Sequence, residues 1–183
     1  MKYITLIFFI LISCFHTHSQ ELSEDDFIHL GANALIAEDL ENTWTYQEVI
    51  EGKYDRLFEA TNTPIPNINF TSSAHWMKTS FTNKNIEESF FLECARPITN
   101  GIFLYVQNQQ GEIIQVSKGG DDWSFSEKEI KHRRNVFEVK IQPNETVNFY
   151  LKMLSDGEVI NAQMKLWQTD AFNEFSQREN LFL

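Results

Sequence analysis

The side chains best suited to chemistry fall between positions 119 and 134. Asp121 and Asp122 precede Trp123 in a run that opens with Gly119-Gly120, so two carboxylates and a flat indole share one turn-forming segment. Carboxylates accept hydrogens from sugar hydroxyls, an indole gives the C–H face of a pyranose an apolar platform, and binding residues concentrate on loops. A little further on, Lys128, Lys131, His132, Arg133 and Arg134 form the one basic cluster of an acidic chain. Such a cluster can grip a carboxylate or sulfate through charge-assisted hydrogen bonds. The candidate ligand-binding set is Asp121, Asp122, Trp123 and Arg133. Two plainer roles stand beside it: Trp123 as a lid on a sheet edge, and the basic residues as a charged strand edge that discourages edge-to-edge pairing. On a strand, alternation would send Arg133 and Arg134 to opposite faces and keep them from meeting one ligand.

Other chemistry finds less support. The adjacent acids Asp121-Asp122 and Glu87-Glu88 name only two positions each, whereas calcium takes six to eight oxygens, so no metal is expected. Gly-x-Ser-x-Gly and His-Glu-x-x-His do not occur, and His29, His75 and His132 are scattered along the chain. A glycosidase needs two carboxylates at a separation set by the fold, which the many acids here do not single out. Cys94, between Glu93 and Ala95 in an apolar run, reads as a small buried hydrophobe. The expectation is no catalytic residue, no metal and no cofactor.

These side chains must be positioned by strands. Of 183 residues, 42% are hydrophobic and 22% charged, the usage of an ordinary globular domain. The net charge of -11, from 15 Lys+Arg against 26 Asp+Glu, excludes a nucleic-acid binder that works by neutralising phosphates. Trp76, Lys78, Ser80 and Thr82 alternate with Met77, Thr79 and Phe81; Phe90 to Cys94 follows a polar turn, and the two runs read as neighbouring strands. Ile102–Gln107 and Glu112–Ser117 flank Asn108-Gln109-Gln110-Gly111, a hairpin signal. Strands at Asn135–Ile141, Thr146–Leu154 and Val159–Gln168 follow, separated by turns at Gln142-Pro143-Asn144-Glu145 and Ser155-Asp156-Gly157. Trp76 and Trp167 lie within strand patterns, where burial is the default for so large an apolar side chain. Thr45-Tyr46-Gln47-Glu48 has the capping-box pattern for a short helix stopped by Gly52, and Asp170 can cap a second helix running to Leu183. Turn signals this closely spaced, between β-branched and aromatic runs, predict an all-β, jelly-roll-like antiparallel β-sandwich.

The first residues read as an export signal. Lys2 precedes an apolar run from Tyr3 to Phe15, and small residues at Thr17 and Ser19 set a cut before Gln20, so residues 1–19 form a signal peptide. Leu11-Ile12-Ser13-Cys14 offers an alternative, a lipobox in which Cys14 is lipidated. Beyond this segment no run approaches the length of apolar sequence a membrane helix needs.

The order of landmarks resembles one receptor module. Glu38-Asp39, Thr45-Tyr46-Gln47-Glu48-Val49, His75-Trp76-Met77-Lys78 with Phe81-Thr82-Asn83, and Tyr150-Leu151-Lys152 appear in sequence. Between them Gly119-Gly120-Asp121 leads through Phe125-Ser126 to His132-Arg133-Arg134-Asn135-Val136-Phe137. The arrangement is similar to the type 2 extracellular domain of bacterial seven-transmembrane receptors with diverse intracellular signalling modules, and covers roughly residues 28 to 183. Lys128-Glu129 stands where that family usually has Arg-Pro. Phe172 to Leu181 resembles the juxtamembrane helix that leads into the first membrane span. The resemblance implies a periplasmic or extracellular sandwich akin to carbohydrate-binding modules, with the sensing domain at 28–168 and a juxtamembrane-like helical tail at 169–183. The expected function is a non-catalytic sensor of a small molecule or carbohydrate, coupled to a membrane-embedded receptor part and with no nucleic-acid partner. The alternative is a stand-alone periplasmic or lipid-anchored module that binds an envelope protein. The expected outcome of mass spectrometry on the exported chain is an N-terminus at Gln20; a lipid-modified Cys14 would establish the other route.

Overall fold

The alternating run at 76–82 belongs to a strand that is buried on both faces, which fixes much of the architecture. The computed structural model describes residues 27–181, with side chains as far as Glu179. The expected signal peptide and Cys14 lie outside the described residues. In chain order the strands are β1 (Phe27–His29), β2 (Leu35–Asp39), β3 (Glu59–Ala60), β4 (Asn67–Phe70), β5 (Ala74–Thr82), β6 (Ser89–Cys94), β7 (Gly101–Gln107), β8 (Ile113–Gly119), β9 (Val136–Lys140), β10 (Thr146–Leu154), β11 (Val159–Asn161) and β12 (Met164–Gln168). The helices are α1 (Tyr46–Ile50) and α2 (Thr169–Leu181), with single 3-10 turns at Leu30–Asn33 and Asp55–Leu57.

The strands form a four-stranded sheet, β1-β12-β6-β9, a six-stranded sheet, β3-β2-β5-β10-β7-β8, and a small β11-β4 pair. Eight of them pair first with last inward: β1 with β12, β5 with β10, β6 with β9 and β7 with β8, all antiparallel. That is the pairing of a rolled-up antiparallel ribbon, a jelly roll. It corrects the expectation that residues 76–82 and 90–94 are neighbouring strands, because β5 lies in the six-stranded sheet and the chain crosses to place β6 in the four-stranded one. The buried Asn83 makes the crossing: its amide donates to the carbonyls of Glu87 (2.7 Å) and Ile141 (2.8 Å), turning the chain from β5 toward the opposite sheet. The run Val159–Gln168 likewise splits, its first part pairing with β4 and its second with β1 and β6.

The two inner faces meet in one apolar core. Met77, Phe81, Leu104, Phe149 and Leu151 point in from one sheet, and Phe90, Leu92, Phe137, Val139 and Leu166 from the other. Each such side chain, fully buried, contributes roughly 1.5–3 kcal/mol of transfer free energy. Cys94 belongs to this core, and burial holds its thiol well above the usual range. Trp76 and Trp167 are also buried, but on the outer faces of the sheets, beneath α1 and α2 respectively.

Both helices follow from local sequence. Thr45 caps α1: its Oγ1 accepts from the Glu48 amide while the Glu48 carboxylate accepts from the Thr45 amide, the reciprocal capping box. Gly52, at φ +80°, turns the chain away just beyond it. Helix α2 follows β12 without a linker, and Thr169 is its first residue, so Asp170 sits inside the first turn rather than ahead of it. The Thr169 hydroxyl donates to the Ser89 carbonyl (2.7 Å), bolting this junction to β6.

The turn at Gly119-Gly120-Asp121 is held against residues 99–100. The Asp121 and Asp122 amides donate to the Thr99 and Asn100 carbonyls, and Asn135 Oδ1 accepts from the Gly120 amide. Gly120 has φ +116°, and a Cβ there would lie 2.2 Å from the Asn100 carbonyl oxygen. Gly120→Ala is therefore expected to lower stability by about 1–3 kcal/mol in denaturant unfolding; an unchanged midpoint would show that this turn relaxes freely.

Candidate functional site

Directly opposed residues of antiparallel strands share a face, so register alone assembles the outer surface of the six-stranded sheet. One row reads Ala37, Trp76, Lys152, Phe103, Lys118; the next reads Leu35, Lys78, Tyr150, Tyr105, Val116; a third begins Ser80, Asn148, Gln107. The surface is thus aromatic, amide-bearing and cationic, unlike the solvated face an antiparallel sheet often shows.

The segment around α1 covers part of it. Asp39 accepts from the Thr43 and Trp44 amides, both at 3.0 Å, and so launches the chain across the sheet. Tyr46 stacks on Tyr105 with centroids 4.6 Å apart, Trp44 stacks on Tyr54 at 4.0 Å, and Val49 closes over Trp76. Lys152 lies over the Trp76 ring and is pushed below the usual lysine range by burial.

Between this cover and the sheet centre a cleft of about 890 Å³ remains. Its floor is Lys78, Ser80, Asn148 and Tyr150 from β5 and β10; its wall is Asp55, Arg56, Phe58 and Asn62. Lys78 Nζ donates to Asp55 Oδ1 (2.6 Å) and lies 4.2 Å from the Phe58 ring centroid. Tyr150 Oη and Asn148 Nδ2 both aim at Gln107 Oε1, at 3.4 and 3.3 Å. Burial, and then the Asp55 charge, push the Tyr150 phenol up, so it stays a hydrogen-bond donor near neutrality. Amide, hydroxyl, phenol, ammonium, guanidinium and carboxylate groups converge beside an aromatic ring, which suits a small polar ligand of about the size such cavities hold. The lining contains neither histidine nor cysteine. Among the described residues no cluster of His, Cys, Asp or Glu has the makings of a metal site.

Only part of the set read from the sequence comes together. Trp123 packs edge-on against Phe103 (5.6 Å) with the Lys118 ammonium 5.5 Å from its ring, so it touches the same sheet face as the cleft, toward the β7–β8 edge. Asp121 and Asp122 lie exposed beside it, and Asp122 accepts from the Asn100 amide at 3.5 Å. Arg133 is elsewhere. Helix α2 lies over the outer face of the four-stranded sheet, with Phe172 and Phe175 packed on Trp167. There Arg133 is bonded to Glu179 of α2. Arg134 meets the same carboxylate, with Nη2 at 2.6 Å. The expected divergence of these two arginines is thereby corrected, because residues 132–134 form a bend ahead of β9 and no strand alternation applies. The floor residues Lys78, Ser80, Asn148 and Tyr150 were not singled out from sequence. The alternation of Trp76, Lys78, Ser80 and Thr82 was the signal that could have found the first two.

With this geometry in view, comparison with known proteins gives one decisive match: a family model, 7TMR-DISM extracellular 2, fits residues 31–168. The chain belongs to that family. The match ends at Gln168, where β12 gives way to α2. Among curated proteins there is no match. Solved structures include a family GH115 4-O-methyl-alpha-glucuronidase with specificity for decorated arabinogalactans, at 15% identity and TM-score 0.34, covering 57% of this chain and 14% of that one. Another is the enzymatically active domain of bacteriophage CBA120 tailspike protein 4, at 10% identity and TM-score 0.36, covering 75% and 20%. This chain spans a small fraction of either, and at that similarity neither informs its chemistry. The 7TMR-DISM extracellular 2 domain is an extracellular receptor domain; no described helix is long and apolar enough to cross a membrane.

Helix docking should respond to acid. Arg134, then Arg133, hold the Glu179 carboxyl at about 2, below its ordinary 4.5, while burial keeps the neighbouring His132 below its usual range. A carboxyl depressed on folding stabilises the docked state fully above its ordinary range and loses that contribution as pH falls toward the folded value. Arg133, Arg134, His132 and, behind Arg134, Glu93 are the charged or titratable groups that face it. Trp167 fluorescence is therefore expected to change between about pH 4.5 and 2, with the transition weakened in Glu179→Gln; an identical transition in both proteins would contradict this.

Proposed function

We propose that this 7TMR-DISM extracellular 2 domain is a non-catalytic sensor, exported by its signal peptide to the periplasmic or extracellular side, that binds a small, hydroxyl-rich molecule such as a saccharide. The observation that carries the reading is the convergence of Lys78, Ser80, Asn148 and Tyr150 on one cleft floor, opposite Arg56, Phe58 and Asn62. A sugar can place its hydroxyls against the amides, phenol and charged groups while an apolar ring face meets Phe58. Phe103 and Trp123 extend the same sheet surface and could receive a second unit of a longer glycan. The groups on its floor and wall are hydrogen-bond donors and acceptors of the kind that recognise hydroxyls, which supports a binding role.

A second reading has its own observation. Strand β8 edges the six-stranded sheet and exposes Ile114 (47%) and Val116 (60%), an apolar edge that suits an envelope protein partner.

Screening mono- and oligosaccharides and small metabolites by ligand-observed NMR is expected to yield a binder. Lys78→Met and Asn148→Ala should each weaken it about tenfold or more, since each removes a donor from a shielded contact, with unfolding midpoints little changed. If instead the cleft variants bind normally and Trp123→Ala abolishes binding, the site is the 121–123 loop and the cleft assignment fails.

A further inference from the structure

The sequence offered Arg133 and its neighbours as a grip for an external anion, and the structure shows the grip filled by the chain's own carboxylate. Glu179 Oε2 accepts from Arg133 Nε at 3.1 Å and Arg134 Nε at 3.3 Å, and its Oε1 accepts from a terminal guanidinium nitrogen of each. Two guanidinium forks thus close on one carboxylate, and His132 Nε2 lies 3.9 Å from it. Planar forks of this kind match the two oxygens of a carboxylate.

What makes this a site is that the sandwich holds Arg134 in place without the helix, and the bend carries the half-exposed Arg133 beside it. Arg134 Nη1 donates to Glu93 Oε1 at 2.8 Å. Glu93 is 1% exposed on the outer face of β6, and it is fully engaged: Gln163 Nε2 donates to the same oxygen (3.0 Å) and Trp167 Nε1 to the other (3.1 Å). His132 Nδ1 accepts from the Arg134 amide at 3.1 Å, which fixes the bend that carries both arginines. A charge as deeply buried as Glu93 keeps its partner, so Arg134 stays where it is whether or not Glu179 is present. With Glu93 balancing one guanidinium, the pair retains one uncompensated positive charge, and that charge is the one Glu179 neutralises.

Helix α2, by contrast, is attached in two parts. Its first turns are anchored by Phe172, 3% exposed, and by Phe175 stacked on Trp167. Past Phe175, Gln177 and Arg178 face solvent, Arg178 pairs with Glu174 along the helix, and among the described side chains there Glu179 reaches back to the sandwich.

We propose that His132, Arg133 and Arg134 form a preorganised carboxylate-binding site on the sandwich, occupied in cis by Glu179, so that the C-terminal turns of α2 are a strap that can be released while the sandwich stays folded. The chemical class the site takes is a carboxylate or an equivalent oxyanion. This holds independently of what binds in the cleft on the opposite sheet.

The test uses the full exported chain. In Glu179→Ala, amide exchange in residues 176–181 should quicken about tenfold, while exchange in β5 and β10 stays at the wild-type rate. The vacated site should then take inorganic sulfate: at ionic strength held constant with chloride, Glu179→Ala binds sulfate saturably, wild type does not over the same range, and adding Arg134→Gln to Glu179→Ala removes the binding. Glu179→Gln, which keeps the side chain's shape, should also quicken exchange. Unchanged α2 exchange in both variants would overturn the strap. Absence of saturable sulfate binding, or equal binding by wild type and variant, would overturn the site, and so would loss of sandwich protection in both Glu179 variants.

Discussion

A tryptophan buried on the outer face of each sheet, Trp76 on one and Trp167 on the other, has to be kept from water by chain that lies outside the sandwich. An eight-stranded roll needs only its inner faces to be apolar, and Met77, Phe81, Phe90, Leu92 and Phe149 supply that core. Here both outer faces are aromatic as well, and leaving either bare would expose a large apolar patch. The cover on the six-stranded sheet is the α1 segment, seated by Tyr46, Val49 and Trp44. The cover on the four-stranded sheet is α2, seated by Phe172 and Phe175. Each cover is incomplete, and what it leaves defines the chemistry: a polar cleft beside α1, and a paired-arginine socket under the end of α2.

The family landmarks take on physical meaning in this frame. Asn83 turns the chain between sheets, Gly120 lets the backbone pass close to Asn100, Asn135 fastens that turn, and the Thr45–Glu48 pair starts α1. These are architectural positions. Lys78 and Tyr150 lie in two further landmarks, but neither motif alone names a ligand, since only the register of β5 on β10 sets them side by side on the cleft floor.

The legibility of the sequence follows the same division. The α1 capping box, the 108–111 hairpin and the burial of Cys94 are local, and each was readable because its causes lie within a few residues. The pairing of β5 with β2 and β10 instead of β6 was not, because a rolled ribbon joins strands far apart along the chain, and period-two alternation says nothing about partners. The cleft is hidden for the same reason: Lys78 and Tyr150 become neighbours only through the β5–β10 register. Arg133 and Arg134 misled in the opposite sense. They looked like strand residues bound to diverge, whereas a bend held by His132 turns both toward Glu179.

The junction at Gln168 and Thr169 gives this domain a lever. Strand β12 continues directly into α2, and the Thr169 hydroxyl ties the junction to β6, the other inner strand of the four-stranded sheet. With no slack peptide between strand and helix, the direction in which the helix leaves the domain is set by the course of β12 and by the hydroxyl tie to β6.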